Sequence, residues 1–443
     1  MKRYDKYKDS DIEWIGEIPE HWDCEKLGKI GYFSSSGIDK KTVEGQPLVK
    51  MINYTDVYGN ERKTLTNNRE YMVVSCPVEK KQNHQVSIGD LIFTPSSETV
   101  EDIGLSALVI NELGNTVFSY HVVRLQLNNK FDIDFRKYLC NNNFVLNQFS
   151  KEAKGTTRQI IGRSVFKNIK VVIPPKPEQT TIANFLDRKT AEIDNLISKK
   201  EKLLELYDEE KTALINQAVT KGINPNVKMK DSGIDWLGEI PEHWEVKRVA
   251  TLGSFSKGKG IPRSDLKDDG YPAILYGDIY TKYNIKAEEI INHIDEETTN
   301  SSVKIEKGDL LFTGSGETKE DIGKCITYLG NQIVYAGGDV IILKQKKCDS
   351  LFLSYLLNSN ISIFQKARMA KGQIIIHIYS SNLREIILPI PPKEEQTAIV
   401  HHIETETTRI NSKISKTEKL IELLKEYKTA LISEVVTGKV KVT

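Results

Sequence analysis

The chain has few cysteines, and their spacing excludes two common ways of stabilising a small domain. They are scattered, odd in number and never in C-x-x-C spacing: Cys24, Cys76, Cys140, Cys325 and Cys348. This pattern argues against a disulfide framework and against a structural zinc site, and it suits the reducing cytosol. We therefore expect a cytoplasmic protein that holds no metal.

Long apolar runs and a surplus of one charge are also missing. No run approaches the roughly 20 apolar residues that a membrane span needs, and the opening MKRYDKYKDS lacks the apolar stretch of a secretory signal. Lys and Arg number 62 against 61 Asp and Glu, a net charge of +1. This excludes a uniformly basic nucleic-acid coat, so any anion-binding surface must come from local segregation of charge.

What the chain does contain is an internal repeat. Four segments recur in the same order: DSDIEWIGEIPEHW at 9–22 as DSGIDWLGEIPEHW at 231–244, GDLIFTPSSETVEDIG at 89–104 as GDLLFTGSGETKEDIG at 308–323, PPKPEQTTI at 174–182 as PPKEEQTAI at 391–399, and TALINQAVT at 212–220 as TALISEVVT at 429–437. The offset falls from 222 to 217 residues, so the second copy has lost five residues within its globular part. The period is far too long for a solenoid and indicates a tandem duplication of two domains.

Each copy predicts an α+β domain followed by a long helix. Apolar, β-prone runs between turn signals predict strands at 117–127 and 334–343, and we expect short helices at 131–149 and 350–370. The predicted division is domain 1 at 1–173, helix 1 at 174–222, domain 2 at 223–390 and helix 2 at 391–443.

The long helices carry an apolar stripe with a heptad period. Pro174 and Pro175 end a strand, and Pro177 followed by Glu178 suits a first helical turn. The predicted interface positions are Leu186, Ile193, Leu196, Leu203, Tyr207 and Leu214 in the first helix, and Ile403, Ile410, Leu420, Leu424, Tyr427 and Leu431 in the second. Polar residues interrupt them at Lys189, Lys200, Glu210, Glu406, Lys413 and Thr417.

Such a stripe favours a coiled coil between the two helices, although each could instead be an amphipathic helix on its own domain. About 40 residues at ~1.5 Å each give a helix of about 60 Å, longer than a domain of this size can cover. Antiparallel packing of the helices would give pseudo-two-fold symmetry, with both domains facing one surface. Domains spaced in this way suit DNA half-sites about one helical turn apart, as in a dimeric repressor.

Basic, glycine-containing stretches at equivalent places in both copies are the candidate DNA contacts. They lie at 34–41 and 256–263, and at 151–170 and 368–377. Glycine lets backbone approach phosphate, Lys and Arg neutralise it, and Arg or Gln can pair with guanine or adenine edges. The candidates are Lys40, Lys41, Lys154, Arg158, Gln159, Arg163, Lys257, Lys259, Arg263, Arg368, Lys371, Gln373 and His377. Ordinary solvated basic loops are the alternative.

The duplicated plan, with its I-P-x-H-W entry, P-P-K-x-E-Q helix start and T-A-L-I helix end, resembles the specificity subunits of type I restriction–modification systems. The resemblance covers essentially the whole chain. It implies a target-recognition domain in each copy and a two-part DNA site with an unspecified gap. It also implies two methyltransferase subunits on the central helices, adenine methylation with S-adenosylmethionine bound by those partners, and two restriction subunits.

Motifs for catalysis in the chain itself are lacking, and we expect a non-catalytic subunit that binds no cofactor. Neither the Asn/Asp-Pro-Pro-aromatic motif nor the Gly-rich loop of adenine methyltransferases is present. The stretch from Gly253 to Lys259 approaches a phosphate loop, but Gly260 replaces Ser/Thr and Pro262 blocks the helix that should follow. We expect His21 and His243 to pack or to form hydrogen bonds.

Three alternatives stay open from the sequence. The four tryptophans could stack on bases or serve as docking anchors, and the acidic repeats at 97–102 and 316–321 could bind a metal or close a turn. The chain could also contain a diverged nuclease or methyltransferase domain, or be a duplicated coiled-coil scaffold with no DNA role. Salt-sensitive DNA binding would decide against the scaffold.

Overall fold

The computed structural model describes residues 2–442 and divides them into two units. The first unit combines the chain up to Glu201 with the chain from Lys419 on, and the second runs from Lys202 to Glu418. Each unit therefore holds one α+β domain together with half of each long helix. The four consecutive segments of the sequence-based division do not coincide with these units, because both long helices are shared between them.

Up to and including the first long helix, the chain forms these elements: β1 (Tyr7–Asp9), β2 (Glu17–Pro19), β3 (Asp23–Lys26), α1 (Leu27–Ile30), β4 (Gly31–Ser34), β5 (Leu48–Ile52), α2 (Tyr54–Val57), β6 (Thr64–Leu65), β7 (Met72–Ser75), α3 (Val78–His84), β8 (Leu91–Phe93), β9 (Ser96–Ser97), β10 (Ser106–Val109), β11 (Thr116–Phe118), β12 (Val123–Leu127), α4 (Ile133–Cys140), α5 (Asn143–Glu152), β13 (Gln159–Ile160), α6 (Arg163–Asn168), β14 (Lys170–Ile173) and α7 (Lys176–Lys221).

The remaining elements are β15 (Met229–Asp231), β16 (Glu239–Pro241), β17 (Glu245–Arg248), β18 (Gly253–Lys257), β19 (Leu266–Lys267), β20 (Tyr271–Ile274), α8 (Tyr276–Thr281), β21 (Lys286–Ala287), β22 (Asn292–Ile294), α9 (Glu296–Ser301), β23 (Val303–Ile305), β24 (Leu310–Thr313), β25 (Ser315–Gly316), β26 (Cys325–Tyr328), β27 (Val334–Ala336), β28 (Val340–Gln345), α10 (Ser350–Leu357), α11 (Asn360–Met369), β29 (Ile376–His377), α12 (Ser380–Arg384), β30 (Ile387–Ile390) and α13 (Lys393–Val436), with short 3-10 helices at Val249–Thr251 and Arg263–Asp265.

Both domains are built on the same mixed five-stranded sheet, in the order β4-β12-β8-β10-β6 in the first and β18-β28-β24-β26-β21 in the second. The central strands β8 and β24 are buried along their whole length, as their uninterrupted apolar sequences require. A second sheet has the order β11-β5-β7 in the first domain and β19-β22-β20-β27-β23 in the second. The α+β prediction and the long helix after each domain are confirmed.

The predicted short elements are each divided in two. The run at 117–127 forms β11 and β12, and the run at 334–343 forms β27 and most of β28. Likewise the predicted helix at 131–149 is α4 and most of α5, and the helix at 350–370 is α10 and α11. Asn142 caps α5 by accepting a hydrogen bond from the Val145 amide at 3.2 Å, which explains the helix break in the first copy.

The stretch that resembles a phosphate loop is strand β18, paired with β28 from Gly253 to Lys257. The next residue, Gly258, passes so close to the neighbouring chain that a Cβ atom would lie 2.0 Å from the Gly337 carbonyl oxygen. Close strand packing therefore accounts for these glycines. In residues 2–442 no helix is both long and apolar enough to cross a membrane.

The long helices contact each other within each unit. In the second unit Lys413 Nζ lies 5.3 Å from the Tyr207 ring centre, and Arg409 Nη2 lies 3.7 Å from Glu210 Oε1, so a later residue of the first helix faces an earlier residue of the second. In the first unit Lys428 Nζ lies 2.6 Å from Asp194 Oδ1. The predicted antiparallel pairing of the helices is therefore present in the second unit.

The buried stripe departs from the predicted heptad positions. Leu186, Ile193, Ile403, Ile410 and Leu431 are buried within their units. Beyond Ile193 the burial moves to Ile197, whereas Leu196 is 40% exposed; beyond Thr417 it moves to Ile421, whereas Leu420 is 38% exposed.

An undistorted helix has 3.6 residues per turn, so buried positions follow one another at intervals of three or four residues. At these two places the next buried residue lies four positions on, whereas the heptad pattern had placed it three positions on. Tyr427 is also exposed, and Leu203, Tyr207, Leu214 and Leu424 are half-buried. The use of all twelve positions as a subunit interface stays a prediction.

The second domain buries a lysine where the first has an aromatic ring. Lys366 is 1% exposed, and its Nζ donates a 2.7 Å hydrogen bond to the Gly323 carbonyl. Phe149 takes the corresponding place in the first domain, against Gly104. Burial lowers the pKa of the Lys366 ammonium to about 8.

We expect Ile197→Ala to destabilise the full chain by about 2 kcal/mol, because it leaves a cavity in the helix interface. Leu196→Ala, one residue away on the exposed face, should cost about 0.5 kcal/mol. Thermal and urea unfolding of both variants provides the test. A larger loss for Leu196→Ala than for Ile197→Ala would contradict the observed stripe.

Replacing Lys366 by Met should raise the Tm at pH 7, because a buried ammonium is removed while the side-chain volume is kept. The folded pKa of Lys366 is about 8 and the ordinary value is 10.5. Between these pH values the unfolded chain binds the proton and the folded chain does not, so the wild type gains stability as the pH rises. The advantage of the variant should therefore shrink from pH 8 to pH 10.5. Lys346→Met, at an exposed lysine, should show no such trend.

Candidate nucleic-acid interface

The start of each long helix is tied to its domain by a Trp–Glu anchor, which we define as Trp22 with Glu178 in the first unit and Trp244 with Glu395 in the second. Both indole rings are fully buried, and each Nε1 donates a 3.1 Å hydrogen bond to its glutamate. The preceding histidine of each copy contacts the same carboxylate, at 2.6 Å from His21 and 2.7 Å from His243. The predicted hydrogen-bonding role of these histidines is confirmed.

Strand pairing brings the two parts of the anchor together. The strand that follows Trp22 is β3, and it pairs antiparallel with β14, the strand that precedes the helix. The pair β17–β30 does the same after Trp244. The glutamate stands in the first helical turn, where a negative charge is stabilised by the helix dipole.

The glutamine after each anchor glutamate fixes the helix start to a second place in the domain. Gln179 Oε1 accepts a 2.9 Å hydrogen bond from the Asp132 amide, and Gln396 Oε1 accepts a 2.7 Å bond from the Asp349 amide. Both aspartates cap the next short helix of their domain. The repeated P-P-K-x-E-Q motif is thereby explained as a joint between helix and domain.

The other two tryptophans are partly exposed to solvent. Trp14 is 42% exposed, with Lys151 Nζ 4.2 Å from its ring centre, and Trp236 packs near Phe364 with ring centres 6.3 Å apart. Of the four tryptophans, Trp22 and Trp244 are therefore the two that serve as docking anchors within their domains.

The basic stretches before the long helices form a tight hairpin in each domain, which we call hairpin 1 (Lys154–Ile160) and hairpin 2 (Lys371–His377). The end residues of each bridge one another through antiparallel backbone hydrogen bonds. Gly155 and Gly372 have φ of +131° and +118°, and a Cβ at either would lie about 2 Å from a carbonyl oxygen of the same hairpin. The hairpin itself therefore requires these glycines.

Each hairpin is held by the acidic repeat of its domain. Strand β13 pairs with β9, and β29 pairs with β25. The acidic segments close a turn, because Thr99 donates to Asp102 at 3.0 Å and Thr318 donates to Asp321 at 2.9 Å. Across residues 2–442 no cluster of three or more His, Cys, Asp or Glu side chains is placed to hold a metal ion.

Hairpin 1 contributes to a cationic and aromatic cluster. The Arg158 guanidinium lies 5.0 Å from the Tyr54 ring centre, and its Nε donates a 3.2 Å hydrogen bond to Ser96 Oγ. Burial, and then the positive charges of Lys40 and Arg158, lower the pKa of His121. Lys40 and Arg158 are exposed, so their charges are available at one surface. Aromatic rings beside exposed cations are suited to nucleic acid.

The second domain presents different side chains at the same place. His377 Nδ1 lies 3.0 Å from Ser315 Oγ, and Lys257 Nζ lies 3.2 Å from Asp339 Oδ1. At the tip of hairpin 2, Ile374 and Ile375 are exposed where hairpin 1 has Thr157 and Arg158. The two hairpins thus have the same backbone conformation and differ in their side chains.

The remaining predicted contacts are placed as follows. Lys41 is exposed beside Asp39, Gln159 donates to the Gly155 carbonyl, Arg163 begins α6, and Arg263 begins a 3-10 helix with its guanidinium beside Gly277. Lys154 and Lys371 stand at the base of their hairpins, Gln373 is at the tip, Lys259 is exposed after β18, and Arg368 lies over Phe364. Their contact with DNA stays a prediction.

A short helix that was not predicted from the sequence lies beneath each hairpin. Tyr54-Thr-Asp-Val-Tyr58 recurs as Tyr276-Gly-Asp-Ile-Tyr280, a signal present in the repeat. The central aspartate caps the helix, since Asp56 Oδ2 accepts from the Asn53 amide at 2.7 Å. The second tyrosine binds the acidic turn, as Tyr58 donates to Asp102 at 3.2 Å and Tyr280 donates to the Asp321 carbonyl at 3.2 Å.

Glu395→Ala should lower the stability of the chain by roughly 1–3 kcal/mol, because the buried Trp244 indole N–H loses its acceptor. The matched control is Glu394→Ala, which removes an equal charge from the same helical turn at an exposed position. Thermal unfolding of the two variants at one pH measures the difference. Equal Tm losses would show that helix charge, and not the anchor, supplies the stabilisation.

Comparison with known proteins agrees with this architecture. The family model described as "Type I restriction modification DNA specificity domain" matches residues 19–206 and 241–423. The type I restriction enzyme MjaVIII specificity subunit of Methanocaldococcus jannaschii is 27% identical over 339 residues, covering 74% of this chain and 75% of that protein.

Solved structures share the fold. A chain from a type I R-M system superposes with a TM-score of 0.70 at 14% identity, covering 96% of this chain and 99% of that one. The HsdS subunit from Thermoanaerobacter tengcongensis gives a TM-score of 0.58 at 14% identity, covering 96% and 98%. With both of its domains matched, the chain belongs to the family of type I restriction–modification DNA specificity subunits.

Proposed function

We propose that this specificity subunit recognises a two-part, gapped DNA sequence, with each domain reading one half. The observation that carries the proposal is the pair of hairpins. They have the same backbone conformation and are held by equivalent strand pairs, but they present different side chains. A shared scaffold positions each hairpin in the same way, while different side chains allow two unlike half-sites. Lys and Arg around each hairpin would supply phosphate contacts, which fix the register of the protein on the duplex.

We further propose that two methyltransferase subunits bind the paired long helices. Several large apolar side chains remain exposed on these helices: Leu196, Leu206, Leu420, Leu423 and Tyr427. Apolar side chains on an otherwise polar helix pair favour a protein partner. The partners would carry S-adenosylmethionine and methylate adenine, and two restriction subunits would complete the nuclease. This chain contributes recognition, in the cytoplasm, and no catalytic step.

Exchanging residues 24–170 for those of a related subunit should change one half of the methylated sequence and leave the other half and the gap intact. Both junctions fall within the β3–β14 strand pair, so the Trp–Glu anchor and the long helices are retained. Mapping of methylated adenines across the host genome, with and without the gene and with the exchanged gene, is the measurement.

The matched control exchanges 246–387 between strands β17 and β30, and should change the opposite half. A change in both halves, or in neither, would contradict the assignment of one domain to each half-site. If removal of the gene leaves the methylation map unchanged in a host with active partner subunits, the proposed function fails and a scaffold role takes its place.

A further inference from the structure

We infer that hairpin 2 recognises thymine in its half of the DNA site, through the side chains of Ile374 and Ile375. This inference rests on the proposed function and names the chemistry by which the second domain would read its half-site.

The exposure of these two residues sets them apart. Ile374 is 89% exposed, the largest value among the exposed large hydrophobic side chains in residues 2–442, and Ile375 is 57% exposed, while the next residue, Ile376, is buried. Single exposed apolar residues are common. Two adjacent isoleucines at a hairpin tip keep a continuous apolar area in water, which a partner surface would cover with a gain in free energy.

The fold of the hairpin does not require isoleucine at these positions. Hairpin 1 has the same bridge between its end residues and the same positive-φ glycine, yet carries Thr157 and Arg158 at the tip. The apolar tip of hairpin 2 is therefore free to serve an external contact. In hairpin 1 the corresponding Arg158 is instead held over Tyr54.

The neighbouring side chains match an A·T base pair. Thymine is the base that presents a methyl group in the major groove, and apolar side chains recognise that group by contact. Gln373, next to Ile374 and exposed, offers the amide that pairs with the N6 and N7 atoms of adenine. Lys371 at the base of the hairpin is exposed and can reach phosphate.

The test removes the methyl group from the DNA and its proposed contact from the protein. Binding of the full chain is measured to a duplex carrying the mapped site, and to the same duplex with deoxyuridine for thymine in the half assigned to the second domain. For the wild type we expect about fourfold weaker binding for each contacted methyl group that is lost.

The variant Ile374→Thr/Ile375→Thr should bind the thymine duplex more weakly than the wild type and bind the two duplexes equally. Ile374→Val, which keeps an apolar β-branched side chain, should retain the preference for thymine. Thr157→Val in hairpin 1 is the matched control and should leave discrimination in the second half unchanged. Unfolding temperatures should be unaltered throughout, because both isoleucines are exposed.

Equal binding of both duplexes by the wild type would overturn the inference. If the double variant binds more weakly but keeps the full thymine preference, the isoleucines contact DNA elsewhere and the thymine assignment is wrong. Failure of the proposed function is distinguishable from these outcomes, because the wild type would then show no preference for the mapped site over unrelated DNA.

Discussion

The hydrogen bond from a buried indole N–H to a glutamate in the first turn of a long helix is the constraint on which the rest of each unit depends. It acts together with the strand pair β3–β14 or β17–β30 and with the glutamine that follows the glutamate, which accepts a hydrogen bond from a second place in the domain. Three interactions hold the carboxylate in place: the hydrogen bond from the indole, the contact with the neighbouring histidine and the helix dipole. In the first unit Tyr4 adds a further donor at 2.9 Å.

Rigidity below the hairpins permits variation at their tips. The Y-x-D-x-Y helix and the acidic turn bond to each other and to the hairpin base in both domains, so the backbone there is determined by groups that are identical or equivalent. The tips differ between the copies: hairpin 1 has Thr157 and Arg158 where hairpin 2 has Ile374 and Ile375. Recognition by side chains on a fixed backbone lets a domain change what it reads without losing stability.

Much of the architecture was predictable because its signals are local. A duplicated motif, a proline pair before a charged turn and a run without helix breakers each lie within a few residues. The interface positions on the helices were less predictable, since the choice between Leu196 and Ile197 depends on which side of the helix the partner helix covers. The burial of Lys366 could not be predicted either, because its neighbours in the sequence do not distinguish it from a surface lysine.

The sequence by itself determined the duplication, the α+β class, the two long helices and the place of the basic, glycine-containing stretches, because repeats, periodicity and composition are properties of short stretches of chain. Only the tertiary structure decided which side chains meet. Arg158 reaches Tyr54, and His377 reaches Ser315, because folding brings together segments that are far apart in the chain. His377 and Ser315 are partners in the β25–β29 strand pair, and a slip of one residue in this register would turn His377 to the opposite face.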